Sequence, residues 1–103
     1  MVAGSQVNVV VETPFYVGWR VSLTDAGWWE AVCDKLGLMV SGRTHAQVVA
    51  AALETVNRLL QDLHAGGELD TFLTQRGWRT RAPIPDAPSE DLIFQVPCTF
   101  EPG

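Results

Sequence analysis

Residues 45–64, HAQVVAAALETVNRLLQDLH, decide the fold because they form the long stretch of this chain with a helical apolar period. Five apolar residues recur there at spacings of four, three, four and three: Val49, Leu53, Val56, Leu60 and Leu63. This spacing predicts an α-helix with one apolar stripe. Thr44 is the predicted N-cap and Gln47 completes a capping box, while Gly66 and Gly67 supply the stop. Such a stripe is typical of a helix that packs on a sheet.

The chain before the helix has the pattern of β-strands. Residues 7–11 are rich in β-branched side chains, and residues 15–23 alternate between apolar and small or polar side chains. The turn residues 24–27 separate this stretch from residues 28–34, so the two stretches predict a hairpin. Residues 38–40 predict one further strand before the helix.

The chain after the helix adds smaller elements. Residues 68–75 predict a short second helix, and residues 82–89 hold three prolines and predict an extended linker. Residues 92–100 predict a final strand, which Pro97 should place at a sheet edge or interrupt with a bulge. We therefore predict one α+β domain, with an antiparallel three- to four-stranded sheet packed on one long helix, a short second helix and a C-terminal edge strand.

Composition and charge favour some classes of function for this chain over others. The chain has 103 residues, of which 47% are hydrophobic, so it fits a single domain with its own core. Its net charge of −5 disfavours binding to nucleic acid and favours a basic protein partner, although the charge also keeps a small protein soluble. The N-terminal residues carry no basic segment before their apolar run, and no apolar stretch reaches membrane-spanning length, so we expect a cytoplasmic protein.

The residues capable of catalysis are scattered rather than arranged in a motif. Cys33 and Cys98 form no zinc-binding pattern, and we expect two buried thiols. His45 and His64 lie nineteen residues apart, which is nearly 30 Å along a helix. Four carboxylates in the strand region are the candidates for a metal site, and we expect solvated charges instead: Glu12, Asp25, Glu30 and Asp34. We predict no enzyme activity, no metal and no cofactor.

Tryptophan and arginine residues are the best candidates for partner binding. Trp28 and Trp29 are adjacent, so in a strand they point to opposite faces, and one of them needs a cover outside its own core. The segment 76–81 is the local basic patch, and its candidate contacts are Arg76, Trp78, Arg79 and Arg81. The structural alternative for this segment is Trp78 packed on the core, with its arginines in solvent or paired with the acidic stretch Glu90-Asp91. The edge of the C-terminal strand is a further predicted contact.

Residues 29–56, WEAVCDKLGLMVSGRTHAQVVAAALETV, resemble the HicB-like antitoxin family. That family has an aromatic residue opening a strand, a short link, a second strand, G-x-T and an alanine-rich helix. The matching positions here are Trp29, Ala31, Leu36, Gly37, Gly42, Thr44, Ala52 and Val56. The link lacks the proline common in the family, and the family's C-terminal DNA-binding module is not recognisable.

The resemblance implies a single HicB-like domain, with a core at about residues 7–64 and an extension over residues 65–103. It also implies a sheet and helix like a truncated ribonuclease H fold without the catalytic acids. The implied function is a homo-oligomeric antitoxin, a dimer or tetramer, that blocks a small basic ribonuclease toxin.

Three alternatives stay open. The chain could be an orphan structural or oligomeric domain or a small-ligand binder without a toxin, an enzyme with a site assembled between subunits, or a nucleic-acid binder that uses Arg76, Arg79 and Arg81.

Overall fold

The structure is a computed structural model that describes residues 6–103. Its elements in chain order are β1 (Val7–Glu12), β2 (Val17–Leu23), β3 (Trp29–Cys33), β4 (Leu38–Gly42), α1 (His45–Ala65), α2 (Leu69–Arg76), β5 (Arg79–Thr80), a 3₁₀ turn (Ser89–Asp91), β6 (Leu92–Gln95) and β7 (Cys98–Pro102). The predicted α+β class, the long helix, the short second helix and the C-terminal strand are confirmed. None of the helices in the described residues is long and apolar enough to cross a membrane.

The chain divides into two compact units. The first unit consists of residues 6–14 and 56–97, and the second unit consists of residues 15–55 and 98–103. Each unit therefore combines segments that are distant in sequence. Helix α1 contributes its residues up to Thr55 to the second unit and its residues from Val56 to the first.

The second unit contains a four-stranded sheet in the order β4-β3-β2-β7. Strands β2, β3 and β4 are antiparallel, with Val21 opposite Ala31 and Ala31 opposite Val40, so the predicted hairpin is confirmed. Strand β7 joins parallel to β2, which places Trp19 opposite Phe100. A parallel neighbour needs a long crossover connection, and the chain between β2 and β7, which includes both helices, provides it.

The core face of this unit follows from strand alternation. Its buried residues come from β2, β3 and α1: Val17, Trp19, Val21, Ala31, Cys33, Val48 and Ala52. The predicted helical stripe is wrong in this part of α1, because Leu53 is 46% exposed and Val49 is only half-buried. Val48 and Ala52 are fully buried and take the core positions instead.

The first unit contains a three-stranded sheet in the order β5-β1-β6. Strand β6 runs parallel to β1, and β5 runs antiparallel to it, with Val11 opposite Thr80. The buried cluster draws on the strands and on both helices: Val9, Val11, Leu60, Leu69, Leu73, Leu92 and Phe94. The predicted C-terminal strand is interrupted after Gln95, and Pro97 lies in the gap before β7. Both halves lie at sheet edges, because proline has no N–H for a ladder bond.

Side chains of α1 fix strand β6 in the first unit. The Oδ1 atom of Asn57 accepts a hydrogen bond from the backbone N–H of Phe94 at 2.6 Å. The Nε2 atom of Gln61 donates to the backbone carbonyl of Leu92 at 2.7 Å. Two polar side chains on the helix therefore satisfy the backbone of the edge strand that packs beside them.

The predicted capping signals of α1 are confirmed at both ends. The backbone N–H of Gln47 donates to Thr44 Oγ1 at 3.1 Å, and Gln47 Oε1 accepts from the backbone N–H of Arg43 at 2.9 Å. At the other end Gly67 takes a left-handed φ of +73°, and the backbone N–H of Glu68 returns to the carbonyl of Leu63 at 2.8 Å. This closing bond is that of a Schellman motif.

Candidate protein-binding surface

The tight turn between β2 and β3 positions the first candidate residue, Trp28. The backbone N–H of Thr24 donates to the carbonyl of Trp28 at 2.7 Å, and the Trp28 N–H donates to Thr24 Oγ1 at 3.1 Å. Gly27 has a φ of +84°, which side-chain-bearing residues rarely adopt. The indole of Trp28 is 43% exposed, so the turn presents a large aromatic side chain to solvent.

Four further side chains surround this end of the hairpin in the second unit. The Arg43 guanidinium lies over the Trp28 ring, 5.0 Å from its centroid. The half-buried Trp29 meets the ring of His45 edge to face at 5.3 Å, and the 57% exposed Leu23 lies opposite Trp29 in the sheet register. We call Leu23, Trp28, Trp29, Arg43 and His45 the hairpin-end cluster.

The hairpin-end cluster has the composition of a binding surface. Tryptophan and arginine are the residues most enriched where protein interfaces gain their binding energy. The adjacent Trp28 and Trp29 take different neighbours, Arg43 and His45. Trp29 thus anchors the cluster to the start of α1, while Trp28 remains accessible.

The predicted basic segment lies in the first unit and has partners within that unit. Trp78 packs against the buried cluster and meets Phe72 edge to face at 5.7 Å, as the structural alternative predicts. Arg76 lies over the ring of Phe72, 3.7 Å from the ring centroid. Arg79 and Arg81 both approach Glu12, at 3.1 and 3.5 Å, so their acidic partner is a residue of β1 and not the predicted stretch Glu90-Asp91.

These contacts change the interpretation of the segment. Glu12 offsets part of the positive charge of Arg79 and Arg81, whose side chains remain 81% and 67% exposed. Exposed ion pairs of this kind contribute about 0–1 kcal/mol, so a binding partner could displace them at small cost. The proposed role of the segment in partner binding stays a prediction.

Three other titratable residues have structural neighbours. His64 Nδ1 lies 2.7 Å from Ser89 Oγ, and Arg20 holds Asp34 in a bidentate ion pair at 3.0 Å. Within residues 6–103, no group of three or more histidine, cysteine, aspartate or glutamate side chains is arranged to hold a metal ion.

The two cysteines are free thiols in the second unit. Cys33 is buried as predicted, whereas Cys98 is only partly buried, which departs from the expected pair of buried thiols. Burial raises the pKa of the Cys98 thiol. The indole N–H of Trp19 opposes this shift only in part, because it makes no hydrogen bond of normal geometry in the described residues. A raised pKa makes Cys98 a poor nucleophile.

The first unit also has a shallow cleft of about 470 Å³. Its lining residues are His64, Gly67, Leu69, Asp70, Leu73, Thr80, Pro83 and Ile84. The cleft combines the end of α1 with α2 and the proline-bearing segment.

Sequence reasoning missed Arg43 and His45. The signal for Arg43 is the register of the β3–β4 hairpin. Because Trp29 pairs with Gly42, the next residues outward, Trp28 and Arg43, lie at the same end of the sheet. It also missed Met39, which is 67% exposed on a strand with no charged residue. A comparison with known family models, curated proteins and solved structures finds no significant match to this chain.

Proposed function

We propose that this chain is a non-catalytic protein-binding module of the HicB-like antitoxin kind, which captures and blocks a small basic ribonuclease toxin. The observation that carries the proposal is the exposed indole of Trp28 in the hairpin-end cluster, with Arg43 stacked over it and the exposed Leu23 in the same cluster. Exposed tryptophan beside arginine is characteristic of residues that dominate binding energy in protein complexes.

Charge supports a basic partner. The chain has 12 acidic and 7 basic residues other than histidine, for a net charge of −5. Long-range attraction of this sign raises the rate at which a basic protein meets the surface, and the buried aromatic contacts then determine how slowly it leaves. Complex formation should therefore weaken with added salt mainly through the association rate.

A second candidate function is an orphan structural or oligomeric domain of the same kind without a toxin. The observation that favours it is the unprotected edge of β4, which is suited to self-association. The two candidates predict different outcomes in the same experiment.

The experiment is a pull-down from the native host with tagged native chain, followed by mass spectrometry of the bound proteins. The test variant is Trp28→Ala, and the matched control is Leu53→Ala, because Leu53 is an apolar side chain of similar exposure, 46% against 43%, outside the hairpin-end cluster. Stoichiometric capture of a small basic protein by the native chain and the control, but not by Trp28→Ala, supports the antitoxin proposal.

The captured protein is then assayed for ribonuclease activity with and without the native chain. Loss of ribonuclease activity in the complex would support the proposal that the chain blocks a toxin. Recovery of the bait alone at low salt contradicts the antitoxin proposal and favours the oligomeric domain.

A further inference from the structure

One edge of the four-stranded sheet is unusually open to strand pairing. In the part of the chain that the structure describes, β4 pairs only with β3. The backbone hydrogen bond from Thr24 N–H to the Trp28 carbonyl shows which residue pairs of β2 and β3 are hydrogen-bonded, because these pairs alternate along an antiparallel ladder. The alternate residues of β3 bond to β4 instead, so the backbone groups of Leu38, Val40 and Gly42 point toward β3. The N–H and carbonyl groups of Met39 and Ser41 therefore point away from the sheet.

The other edge strands carry residues that discourage such pairing. Strand β7 contains Glu101 and Pro102, and β6 lies between Asp91 and Pro97. Proline and charge are the usual means by which proteins protect a strand edge. Strand β4, with the sequence LMVSG, has neither proline nor charge, and its Met39 is 67% exposed.

Strand β4 is complementary to itself in one antiparallel register. With a twofold axis at Val40, the two valines face each other, each Leu38 faces the small Gly42 of the other copy, and each Met39 faces Ser41. The outward backbone groups of Met39 and Ser41 then form four hydrogen bonds between the copies.

The neighbouring register matches side-chain sizes less well. Moving the axis by one residue to Met39 places the two exposed Met39 side chains directly opposite each other and Leu38 opposite Val40.

We infer that a second copy of this chain pairs antiparallel with β4 through a twofold axis at Val40, which joins two four-stranded sheets into one eight-stranded sheet. This self-pairing uses a different surface from the exposed tryptophan of the proposed function, and it does not depend on a toxin. The choice of a second copy as the partner follows from the strand's own sequence, because this register pairs large with small side chains.

The first test measures the mass of the chain in solution by sedimentation equilibrium. The native chain should have twice its 11.3 kDa mass. Ser41→Pro removes an outward N–H and leaves the β3 ladder intact, so it should give a folded monomer, whereas Ser41→Ala should remain a dimer. Met39→Lys, which brings two cations close across the axis, should weaken the dimer at least about tenfold.

The second test fixes the register by cysteine cross-linking. In Val40→Cys the two introduced residues face each other as a non-hydrogen-bonded pair, where Cα atoms are about 4.5 Å apart and a disulfide fits. Met39→Cys is the matched control, because its two copies lie diagonally at about 7–8 Å, beyond disulfide reach. Native chain under the same oxidant controls for Cys33 and Cys98.

A dimer that Ser41→Pro dissociates and Val40→Cys cross-links, with both variants folded by circular dichroism, supports the inference. A native monomer at the highest attainable concentration overturns it, as does a dimer that persists in Ser41→Pro. Cross-linking of Met39→Cys in preference to Val40→Cys overturns the register. Each of these results leaves the toxin-capture proposal standing, because that proposal is judged by Trp28→Ala.

Discussion

Arg43 lies over the indole ring of Trp28, with 5.0 Å between the guanidinium carbon and the ring centroid. The two residues are fifteen positions apart in sequence, and the β3–β4 register brings them together. An exposed cation–π pair contributes about 0.5–1 kcal/mol. The pair therefore restrains an exposed tryptophan without burying it.

The coupling between these side chains can be measured directly. A double-mutant cycle with Trp28→Ala and Arg43→Ala should give a coupling free energy of about 0.5–1 kcal/mol in chemical denaturation. Neither single variant should lower the free energy of unfolding by more than about 1 kcal/mol, since both side chains are on the surface. Strictly additive effects would show that the stacked arrangement is not populated in solution.

Asn57 should be the most sensitive polar residue of the first unit. Its Oδ1 atom is the acceptor for the backbone N–H of Phe94, so Asn57→Ala leaves that partly buried donor unsatisfied. We expect a loss of about 1–3 kcal/mol in the free energy of unfolding. Asn57→Asp keeps the acceptor and is the matched control. An Asn57→Ala variant as stable as the native chain would contradict the hydrogen bond.

The adjacent glycines at the end of α1 should respond differently to alanine. Gly67 has a φ of +73°, where a side chain is strained, so Gly67→Ala should destabilise the chain by about 1 kcal/mol. Gly66 lies outside the left-handed region, and an added Cβ would make only ordinary contact with the Asp62 carbonyl at 3.5 Å. Gly66→Ala should therefore be neutral or slightly stabilising in thermal denaturation. Equal losses would contradict the capping geometry.

Ionisation of Cys98 should lower the stability of the folded chain at alkaline pH. Burial raises the pKa of its thiol above the ordinary value of 9.0. The unfolded thiol then ionises first, so the folded state binds more protons, and the free energy of unfolding falls as pH rises from about 9.0 through the folded-state pKa.

Two measurements check this effect. Alkylation of Cys98 in the folded chain, followed by mass spectrometry, should show a midpoint pH above that of a free thiol. Denaturation curves of Cys98→Ser should lose this part of the pH dependence. A midpoint at or below the ordinary value would show that the thiol is more exposed than in the structure.

Local signals in the sequence predicted most individual elements. The Thr44 and Gln47 capping box and the glycine stop gave the limits of α1 to within a residue, because caps act within one turn of the helix. The alternation of residues 15–23 predicted a half-buried strand, and Val17, Trp19 and Val21 of β2 are indeed buried. The stripe of α1 failed at Leu53 because Val48 and Val49 are both apolar, so composition alone does not select the buried one.

The sequence did not predict the pairings between strands that are distant in the chain. Strand β5 is two residues long and exists because it pairs with β1, so Arg79 appeared as part of a basic patch rather than as a strand residue. Its acidic partner Glu12 is 67 positions away. The parallel entry of β7 beside β2 likewise depends on the crossover, which no local pattern encodes.

The most direct test of the binding function is a calorimetric titration of the captured basic protein into three versions of the chain. The account predicts that Trp28→Ala weakens the dissociation constant at least about thirtyfold relative to the native chain, which corresponds to about 2 kcal/mol. Leu53→Ala should stay within about threefold of native, as expected for a side chain outside the contact. Equal dissociation constants for native chain and Trp28→Ala would contradict the assignment of the hairpin-end cluster as the binding surface.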